Sequence, residues 1–415
     1  MSKQIREGYK MTELGDIPVE WEIKKLEEIA EIIMGQSPDS SSYNEEGQGI
    51  PFFQGKTEFG SIYPEVKKWC TQPTKTAKPL DILMSVRAPV GDVNINNIES
   101  CIGRGLSAIR ASKNSNYRYI YYFLQQNNKQ LERSSQGSTF TAINSSDLKN
   151  LYIIVPPLIE QEKIASILST IDEHIEQVDG LIEKTKELKK GLMQRLLTKG
   201  IGHTEFKMTE IGKIPKVWEV KSLEEISIGK GEYGINAAAK EYEQNEPRYL
   251  RITDIDDNYK LSNQEIKSVD ADEDEYKKYI LKENDIVFAR TGNTTGKSYL
   301  YEKCDGELVF AGFLIKFTIN PLLYDSSFLK YYVQTKYYWD WVQKMSLRSG
   351  QPGINSKEYS SLLVPVPPVD EQYKIATILR KVDNRIEKYD IKRQKLQHLK
   401  KGLMQKLLTG KLKVC

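Results

Sequence analysis

Two arginines stand at the ends of short apolar segments, where a rigid turn could present a guanidinium group to a ligand. Arg87 ends residues 81–87 (DILMSVR), Arg290 ends residues 285–290 (DIVFAR), and glycine lies within a few residues after each. A guanidinium group in such a turn can bind a guanine edge or a phosphate with two hydrogen bonds. A surface ion pair is the alternative interpretation of either residue alone. Recurrence in both halves places the binding interpretation level with the ion pair, and both stay open.

Further polar residues are weaker candidates for the same role. Four of them are cations: Lys56, Arg104, Arg251 and Lys297. The others belong to two polar loops: Gln136, Ser138, Thr139, Arg348, Ser349 and Gln351. Each loop precedes an Ile-Asn pair, at residues 143–144 or 354–355. Amide and hydroxyl side chains at these places could read base edges, or could simply form turns.

Residues 292–298 (GNTTGKS) resemble a phosphate-binding loop, but the pattern fails. Three residues rather than four separate Gly292 from Gly296, and the residues that follow have the pattern of strands rather than of a helix. The corresponding residues 87–92 (RAPVGD) contain no lysine. Two interpretations remain open: a glycine turn after a strand, or a turn that offers backbone amides and Lys297 to a phosphodiester.

The remaining motifs do not assemble a catalytic centre. Residues 155–157 and 366–368 (both VPP) lack the amide or carboxylate and the aromatic ring of the amino-methyltransferase signature. The Glu-x-Lys spacing at 65–67 and 265–267 arises easily by chance in a chain with 28% charged residues. Four cysteines without a CxxC pair and three histidines predict reduced thiols and no zinc site. We therefore predict no catalytic residue, cofactor or metal; an unrecognised nuclease is the enzymatic alternative.

Composition places the chain among globular proteins. It has 415 residues, 39% of them hydrophobic, and a net charge of +3, which permits nucleic-acid binding without requiring it. No apolar run has the roughly 20 residues of a membrane-spanning helix, and the first residues lack the apolar centre of a secretory signal. The cytoplasm is the expected location. The acidic residues 270–275 (DADEDE) should face away from DNA or form a solvated loop.

The sequence is an internal repeat. Three pairs of segments match, with 13 of 19, 12 of 21 and nine of ten residues identical. The pairs are 11–29 with 208–226, 156–176 with 367–387, and 189–198 with 400–409. The segments between them, which we name cassettes, differ in sequence and in length. Two copies of one frame that carry different cassettes indicate two related contacts with different content.

Each Pro-Pro pair introduces a predicted long helix. Apolar residues then recur every three or four positions for about 38 residues without proline. Such a helix would span roughly 55–60 Å. Its narrow apolar stripe needs a partner helix. The other copy in the same chain is the obvious partner, and a second chain in a homodimer is the alternative.

The cassettes predict mixed α/β domains. Residues 81–87 and 285–290 have the pattern of strands, and residues 117–126 and 327–341 that of aromatic-rich helices. The order is cassette, helix, cassette and helix. The second cassette follows a helix directly, whereas the first has none before it, so the repeat would close only if the end of the last helix met the start of the chain. If a two-fold axis relates the halves, the end of the chain should lie near residues 1–20.

With these motifs the chain resembles the specificity (S) subunit of type I restriction–modification systems. The residues that carry the resemblance are MTE-[LI]-G-x-I-P before each cassette, PP-xx-EQ-x-KIA where each helix starts and KKGLMQ-x-LLT where it ends. The resemblance implies an α/β fold with two globular target-recognition domains, two long antiparallel coiled-coil helices and a pseudo-two-fold internal repeat. It implies recognition domains at 1–157 and 201–367, and spacer helices at 158–200 and 368–415.

The resemblance also implies partners and a role. Each domain would read one half of an asymmetric, bipartite site in double-stranded DNA, and the helices would set the gap between the halves. Two methyltransferase (M) subunits would dock on the helices, and restriction/translocase (R) subunits would join them for cleavage. The S subunit would itself be non-catalytic in an adenine-methyltransferase complex. A coiled-coil adaptor that binds only proteins is the non-enzymatic alternative.

Overall fold

The computed structural model describes residues 6–135, 142–347 and 352–414, with only the backbone course for 129–135. The chain forms two compact units. Unit 1 comprises Met1–Gly180 and Asp390–Cys415, and unit 2 comprises Leu181–Tyr389. Each unit holds one cassette, the start of one long helix and the end of the other. The two units therefore contain the same kinds of segment, but the segments follow one another along the chain in circularly permuted order.

Unit 1 begins with short strands and ends in a long helix. Its strands are β1 (Tyr9–Thr12), β2 (Gly15–Pro18), β3 (Glu22–Lys25), β4 (Ala30–Met34), β5 (Tyr43–Asn44), β6 (Ile50–Phe53), β7 (Trp69–Cys70), β8 (Thr76–Ala77), β9 (Ile82–Ser85), β10 (Val93–Ile95), β11 (Ser100–Ile102), β12 (Leu106–Ala111) and β13 (Tyr152–Val155). Its helices are α1 (Leu26–Ile29), α2 (Tyr117–Ser135), α3 (Ser145–Lys149) and the first part of α4 (Leu158–Lys199).

The central sheet of unit 1 is antiparallel, in the order β10-β9-β12-β4. A second sheet has the order β5-β7-β6-β11-β8, in which β6 and β11 are parallel. Both faces of β9 are covered. Ile82 and Met84 belong to one core with Tyr119 of α2, while Leu83 belongs to another with Phe53. This burial on both sides explains why β9 is a continuous apolar run rather than an alternating one.

Unit 2 has a similar series of elements. Its strands are β14 (Phe206–Thr209), β15 (Gly212–Pro215), β16 (Glu219–Ser222), β17 (Ser227–Tyr233), β18 (Ala238–Glu241), β19 (Arg248–Leu250), β20 (Lys267–Asp270), β21 (Asp285–Ala289), β22 (Ser298–Leu300), β23 (Leu308–Phe310), β24 (Leu314–Ile319) and β25 (Leu363–Val366). Its helices are α5 (Glu273–Tyr276), α6 (Ser326–Tyr332), α7 (Lys336–Ser346), α8 (Ser356–Ser360) and the first part of α9 (Val369–Leu407).

The central sheet of unit 2 repeats that of unit 1. Its order β17-β24-β21-β22 is again antiparallel and matches β4-β12-β9-β10 strand for strand. The parallel pair β19 and β23 takes the place of β6 and β11. Ile286 and Phe288 face the core that contains α6, and Val287 and Ala289 face the opposite core. Different cassette sequences thus form the same central sheet.

The structure confirms the predicted mixed α/β fold and its principal elements. The two predicted strands are present as β9 and β21. The first aromatic-rich helix is α2. The second is divided into α6 and α7, because Thr335 between them accepts a hydrogen bond from the backbone of Tyr338 and starts a new helix. Residues 298–300 form strand β22, as expected for a sequence that is not a phosphate-binding loop.

Both long helices are present and begin directly after the Pro-Pro pairs. Strand β13 ends at Val155 and α4 begins at Leu158, while β25 ends at Val366 and α9 begins at Val369. Proline suits the first turn of a helix because that turn needs no backbone donor there. No helix among the described residues is both long enough and apolar enough to cross a bilayer.

Within each unit the two helices run antiparallel. In unit 1, Asp172 pairs with Lys400 at 2.7 Å and Asp179 with Arg393 at 3.4 Å, so numbering rises along one helix as it falls along the other. In unit 2, Lys189 pairs with Asp383 at 2.8 Å. The partner of each helix segment is therefore the other helix of the same chain, as predicted.

The end of the chain lies beside its beginning in unit 1, as the circular order predicts. The Tyr9 hydroxyl donates to the carbonyl of Gly410 at 2.7 Å, and Lys413 pairs with Glu20 at 3.1 Å. The equivalent place in unit 2 is the continuous chain between α4 and β14. Ile201 and His203 of that connection contact Glu371, to which the Trp218 indole also donates at 3.0 Å, as Trp21 does to Glu160 at 2.8 Å in unit 1.

Candidate nucleic-acid interface

In unit 1, three glycines bring the ends of several strands together. The backbone amide of Gly35 donates to the carbonyl of Leu106, and that of Gly103 donates to Phe53. A Cβ atom on Gly35 would lie 2.2 Å from the Gly103 carbonyl oxygen, and one on Gly105 would lie 2.4 Å from that of Gln54. Only glycine fits so close to another backbone. We name Gly35, Gly103 and Gly105 the first glycine junction.

Polar side chains surround the first glycine junction. Gln36, Gln54 and Arg104 directly follow junction residues or strand β6, and all three are exposed. Arg87 follows Val86, whose amide donates to Gly105 at 2.9 Å, and is also exposed. Arg87 and Arg104 make no ion pair with any residue that the structure describes. Two guanidinium and two amide groups are thus available to a ligand at one place.

Unit 2 has the same backbone arrangement at Gly234 and Ala311, which we name the second glycine junction. The amide of Gly234 donates to Leu314, and that of Ala311 donates to Leu250, as Gly35 and Gly103 do to Leu106 and Phe53. A Cβ atom on Gly234 would lie 2.3 Å from the carbonyl oxygen of Ala311. The frame recurs although the surrounding sequence differs.

The side chains at the second glycine junction are aromatic rather than polar. Phe313 is 57% exposed and Tyr233 is 41% exposed. The guanidinium carbon of Arg290 lies 4.8 Å from the centre of the Tyr233 ring, in the range of a cation–π contact. The Arg290 amide donates to the carbonyl of Phe313 at 3.0 Å, so Arg290 lies beside both residues although the three belong to separate segments of the chain. This surface suits stacking on bases better than the first junction does.

Strand pairing corrects the predicted equivalence of Arg87 and Arg290. Leu106 pairs with Ser85, and its counterpart Leu314 pairs with Ala289. Arg290 therefore corresponds to Val86, and Arg87 to Thr291. Successive residues of a strand point to opposite faces, so a shift of one residue changes the side on which the guanidinium lies. The recurrence that favoured both arginines is a coincidence of sequence, and each must be argued from its own surroundings.

Three other predicted cations have acidic partners within their cassettes. Lys56 pairs with Asp92 at 2.5 Å, and Lys297 pairs with Asp257 at 2.6 Å. Arg251 donates two hydrogen bonds to Asp254, at 2.8 and 3.1 Å, and one to the Glu265 carbonyl at 3.0 Å. Asp254 is buried, so the Arg251 pair stabilises its loop.

Gln136, Ser138, Thr139, Arg348, Ser349 and Gln351 lie outside the described residues. The Ile-Asn pairs that follow them are described, and they start helices. Asn144 and Asn355 accept hydrogen bonds at the first turns of α3 and α8, and each faces a carboxylate that bonds back to its backbone. The preceding isoleucines are buried. The Ile-Asn pairs thus have a structural role as helix starts, and the role offered for the polar loops before them stays a prediction.

The acidic segment is solvated, as one of the two expectations had it, but it forms a strand end and a short helix rather than a loop. It runs from the end of β20 into α5, and residues 272–275 are exposed.

A second polar cluster recurs in both units, between the cassette and the long helices. In unit 1, the Tyr122 hydroxyl of α2 donates to Asp172 of α4 at 2.7 Å, and Lys400 of α9 binds the other oxygen of Asp172 at 2.7 Å. The ammonium group of Lys400 lies 5.3 Å from the centre of the Tyr122 ring. Burial and the neighbouring carboxylate hold the pKa of Tyr122 well above its ordinary value, so the hydroxyl stays a donor.

Unit 2 reproduces this cluster with Tyr331, Asp383 and Lys189. The hydroxyl–carboxylate distance is 2.8 Å, the ion pair is 2.8 Å, and the ammonium group lies 5.6 Å from the ring centre. Burial, then the carboxylate, again raise the pKa of the tyrosine. We name these two sets the Tyr–Asp–Lys clusters.

Beside the Tyr–Asp–Lys cluster, unit 1 has an open cleft of about 1000 Å³ between α2 and the two helix segments. Glu176 and Lys401 line it. In unit 2 the repeat counterpart of Glu176, Glu387, instead pairs with Lys260 of the cassette at 2.9 Å. The second cassette thus makes a contact with its helix that the first replaces by open space.

Sequence reasoning missed several of these residues. Gln36, Gln54, Tyr233 and Phe313 carry no local signal, because the strand ends beside them meet through contacts far apart in the chain. The aspartates and lysines of the Tyr–Asp–Lys clusters did carry one, since they are identical in the repeated segments.

Comparison with known proteins agrees with this architecture. Residues 18–187 and 215–400 each match the family described as type I restriction modification DNA specificity domain. The chain therefore belongs to the family of type I restriction–modification specificity subunits, with one such domain, a target-recognition domain, in each half.

Individual relatives agree with this family. Over 405 residues the chain is 26% identical to the type I restriction enzyme MjaVIII specificity subunit of Methanocaldococcus jannaschii. The matched region covers 96% of this chain and 94% of the relative. A protein of the same organism named as the MjaX specificity subunit is 46% identical over 195 residues, 46% of either chain. The crystal structure of a type I S subunit from M. genitalium has a TM-score of 0.63 over 98% of both chains at 16% identity, which concerns the fold alone.

These geometries separate a structural arginine from an exposed one. We expect Arg251→Ala to destabilise unit 2 by about 1.5–3 kcal/mol, because it leaves the buried Asp254 without its charged partner. Arg87→Ala should leave stability unchanged, since the side chain is exposed. Thermal unfolding of the purified protein measures both, with Arg104→Ala as a second exposed control. Equal melting of the Arg251→Ala and Arg87→Ala variants would show that the Arg251 pair does not stabilise the fold.

Proposed function

We propose that the chain reads a bipartite, asymmetric site in double-stranded DNA, with one glycine junction contacting each half. The observation that carries the proposal is that two junctions with one backbone frame display different side chains. Identical frames support the same mode of approach to the duplex. Different side chains imply different bases, so the two half-sites would be unlike.

The chemistry of the first glycine junction suits direct reading of the major groove. Arg87 and Arg104 can bind the two acceptors of guanine, and Gln36 and Gln54 can bind the acceptor and donor of adenine. At the second junction Arg290 and Thr291 are the polar candidates, and Tyr233 and Phe313 offer stacking and apolar contact. Lys56, Lys297 and Arg251 would at most contact phosphates after exchanging their acidic partners.

The long helices would act as a spacer and as a platform. Antiparallel pairing with a fixed register supports a constant distance between half-sites. In this proposal two M subunits dock on the helices and methylate adenine in each half, and R subunits join for cleavage. The chain itself supplies recognition and scaffolding, and the chemistry belongs to its partners. Adenine methylation needs the base outside the stack, so the duplex that the cassettes hold would be distorted.

The decisive experiment is co-expression of the chain with its neighbouring methyltransferase, followed by genome-wide mapping of N6-methyladenine by long-read sequencing. A split motif with two unlike halves and one fixed gap is the expected result. A methyltransferase that is active with another S subunit yet produces no new motif with this chain would contradict the proposal. Such a result would favour the coiled-coil adaptor.

Substitutions at the two glycine junctions should affect separate halves of the motif. Arg87→Ala should weaken methylation about 10- to 100-fold and relax a base in one half only, since a bidentate contact is worth about 1–3 kcal/mol of discrimination. Arg290→Ala should act only on the other half, so each variant is the control for the other. Mapped motifs that stay unchanged in both variants would remove these arginines from the reading surface.

Lengthening the helices should lengthen the gap. The variant adds seven residues to each helix: residues 174–180 are repeated after Gly180, and residues 385–391 after Ile391. The two insertions lie opposite each other along the helix pair, because Asp179 faces Arg393. The added rise of about 10 Å corresponds to about three base pairs. Methylation mapping should return the same half-sites with that longer gap. An unchanged gap would refute the spacer role, and insertion in one helix alone is the control that only breaks the register.

A further inference from the structure

The tyrosine of each Tyr–Asp–Lys cluster comes from a cassette, where the two sequences otherwise differ. Asn116 and Asp325 cap α2 and α6, accepting hydrogen bonds from the backbone of Tyr119 and Phe328 respectively. The cluster tyrosine is the sixth residue after the cap in both helices. Two unlike sequences thus place the same hydroxyl at the same position, which indicates a shared constraint.

The cassette helix is attached to the long helix at a second point. The side-chain oxygen of Gln161 accepts a hydrogen bond from the backbone of Asn116 at 2.9 Å, and Gln372 accepts one from Asp325 at 2.7 Å. The amide nitrogens of the same glutamines bond to their own helix starts, both at 2.8 Å. Attachment at the start of the cassette helix, and again between one and two turns later, fixes its direction as well as its position.

In unit 1 the Tyr–Asp–Lys cluster joins three elements at one buried charge, whereas the aspartate of unit 2 is half-buried. Asp172 is buried, with one oxygen held by Tyr122 and the other by Lys400. A buried carboxylate is strongly destabilising when a partner is removed, so both partners are needed at once. The cassette supplies one partner and the opposite long helix supplies the other. The position of the cassette is therefore coupled to the register of the two helices.

We propose that the Tyr–Asp–Lys clusters set the gap of the recognised site by fixing each cassette on the helix pair. Tyr122 and Tyr331 are positioning residues in this proposal, which rests on the bipartite reading proposed above. The helices define the maximum distance between the cassettes. The clusters define the position along the helices at which each cassette, with its reading surface, is attached. Without the tyrosine hydroxyl a cassette can shift, and half-sites one base pair closer or farther become acceptable.

The test compares gap preference rather than activity alone. The S–M complex is purified with the wild-type chain and with Tyr122→Phe, Tyr331→Phe and the double variant, each of which keeps the ring and loses only the hydroxyl. Binding is measured to three duplexes that carry the mapped half-sites at the natural gap and at one base pair less or more. Matched controls are the neighbours Tyr121→Phe, whose hydroxyl accepts from Gln125, and Tyr332→Phe, whose hydroxyl donates to Leu363.

We expect the preference for the natural gap to fall about tenfold in the double variant, which corresponds to about 1.4 kcal/mol. A hydrogen bond to a charged group can supply that difference. The single variants should show part of the effect, and the controls should keep the wild-type preference. The base preference within each half should remain unchanged in all variants, because the glycine junctions are untouched.

An unchanged ratio between the three duplexes overturns the proposal. This includes a uniform loss of affinity at every gap, which is what a merely structural role would give. If the double variant binds none of the duplexes, the ratios of the single variants decide. Failure of the proposed function is distinguishable, since the wild-type complex would then recognise no bipartite duplex at all.

Discussion

Each half of the molecule contains a carboxylate, buried at Asp172 and half-buried at Asp383, that is satisfied from two sides. Taking an ion out of water costs several kcal/mol unless both its charge and its hydrogen bonds are compensated. Asp172 and Asp383 meet this requirement only when a tyrosine from the cassette and a lysine from the opposite helix are both in place. The need to satisfy this carboxylate therefore couples the register of the two helices to the position of the cassette on them.

The glycine junctions apply an opposite kind of constraint, in which the backbone is fixed and the side chains are free. A Cβ atom at Gly35 or Gly234 would lie within about 2.3 Å of a carbonyl oxygen, so these positions cannot vary without moving several strands. Neighbouring positions differ between the units, with Arg104 in one unit where Gly312 stands in the other. Such a frame allows the reading surface to change while the fold stays the same.

The sequence was sufficient for the parts of the structure that depend on local patterns. The long helices, strands β9 and β21 and the circular order all follow from periodicity or repetition. The proposed reading surface does not, because its members meet through strands that are distant in the chain. The alignment of Arg87 with Arg290 failed because their apolar segments differ by one residue, a difference that only strand pairing reveals. The acidic partners of Lys56 and Lys297 lie about 40 residues away, beyond any local signal.

Charge distribution explains how a nearly neutral chain can still discriminate between DNA sequences. Phosphate contacts supply affinity without specificity, and they require a surplus of cations. This chain has a net charge of only +3, and Lys56, Lys297 and Arg251 are matched to acids in their own cassettes. Under the proposed function, the exposed guanidinium groups at the first glycine junction contact base edges where the general attraction to phosphates is weak. Contacts to base edges then account for much of the binding free energy that this chain contributes. Most of the sequence-independent affinity for phosphates would come from its partners.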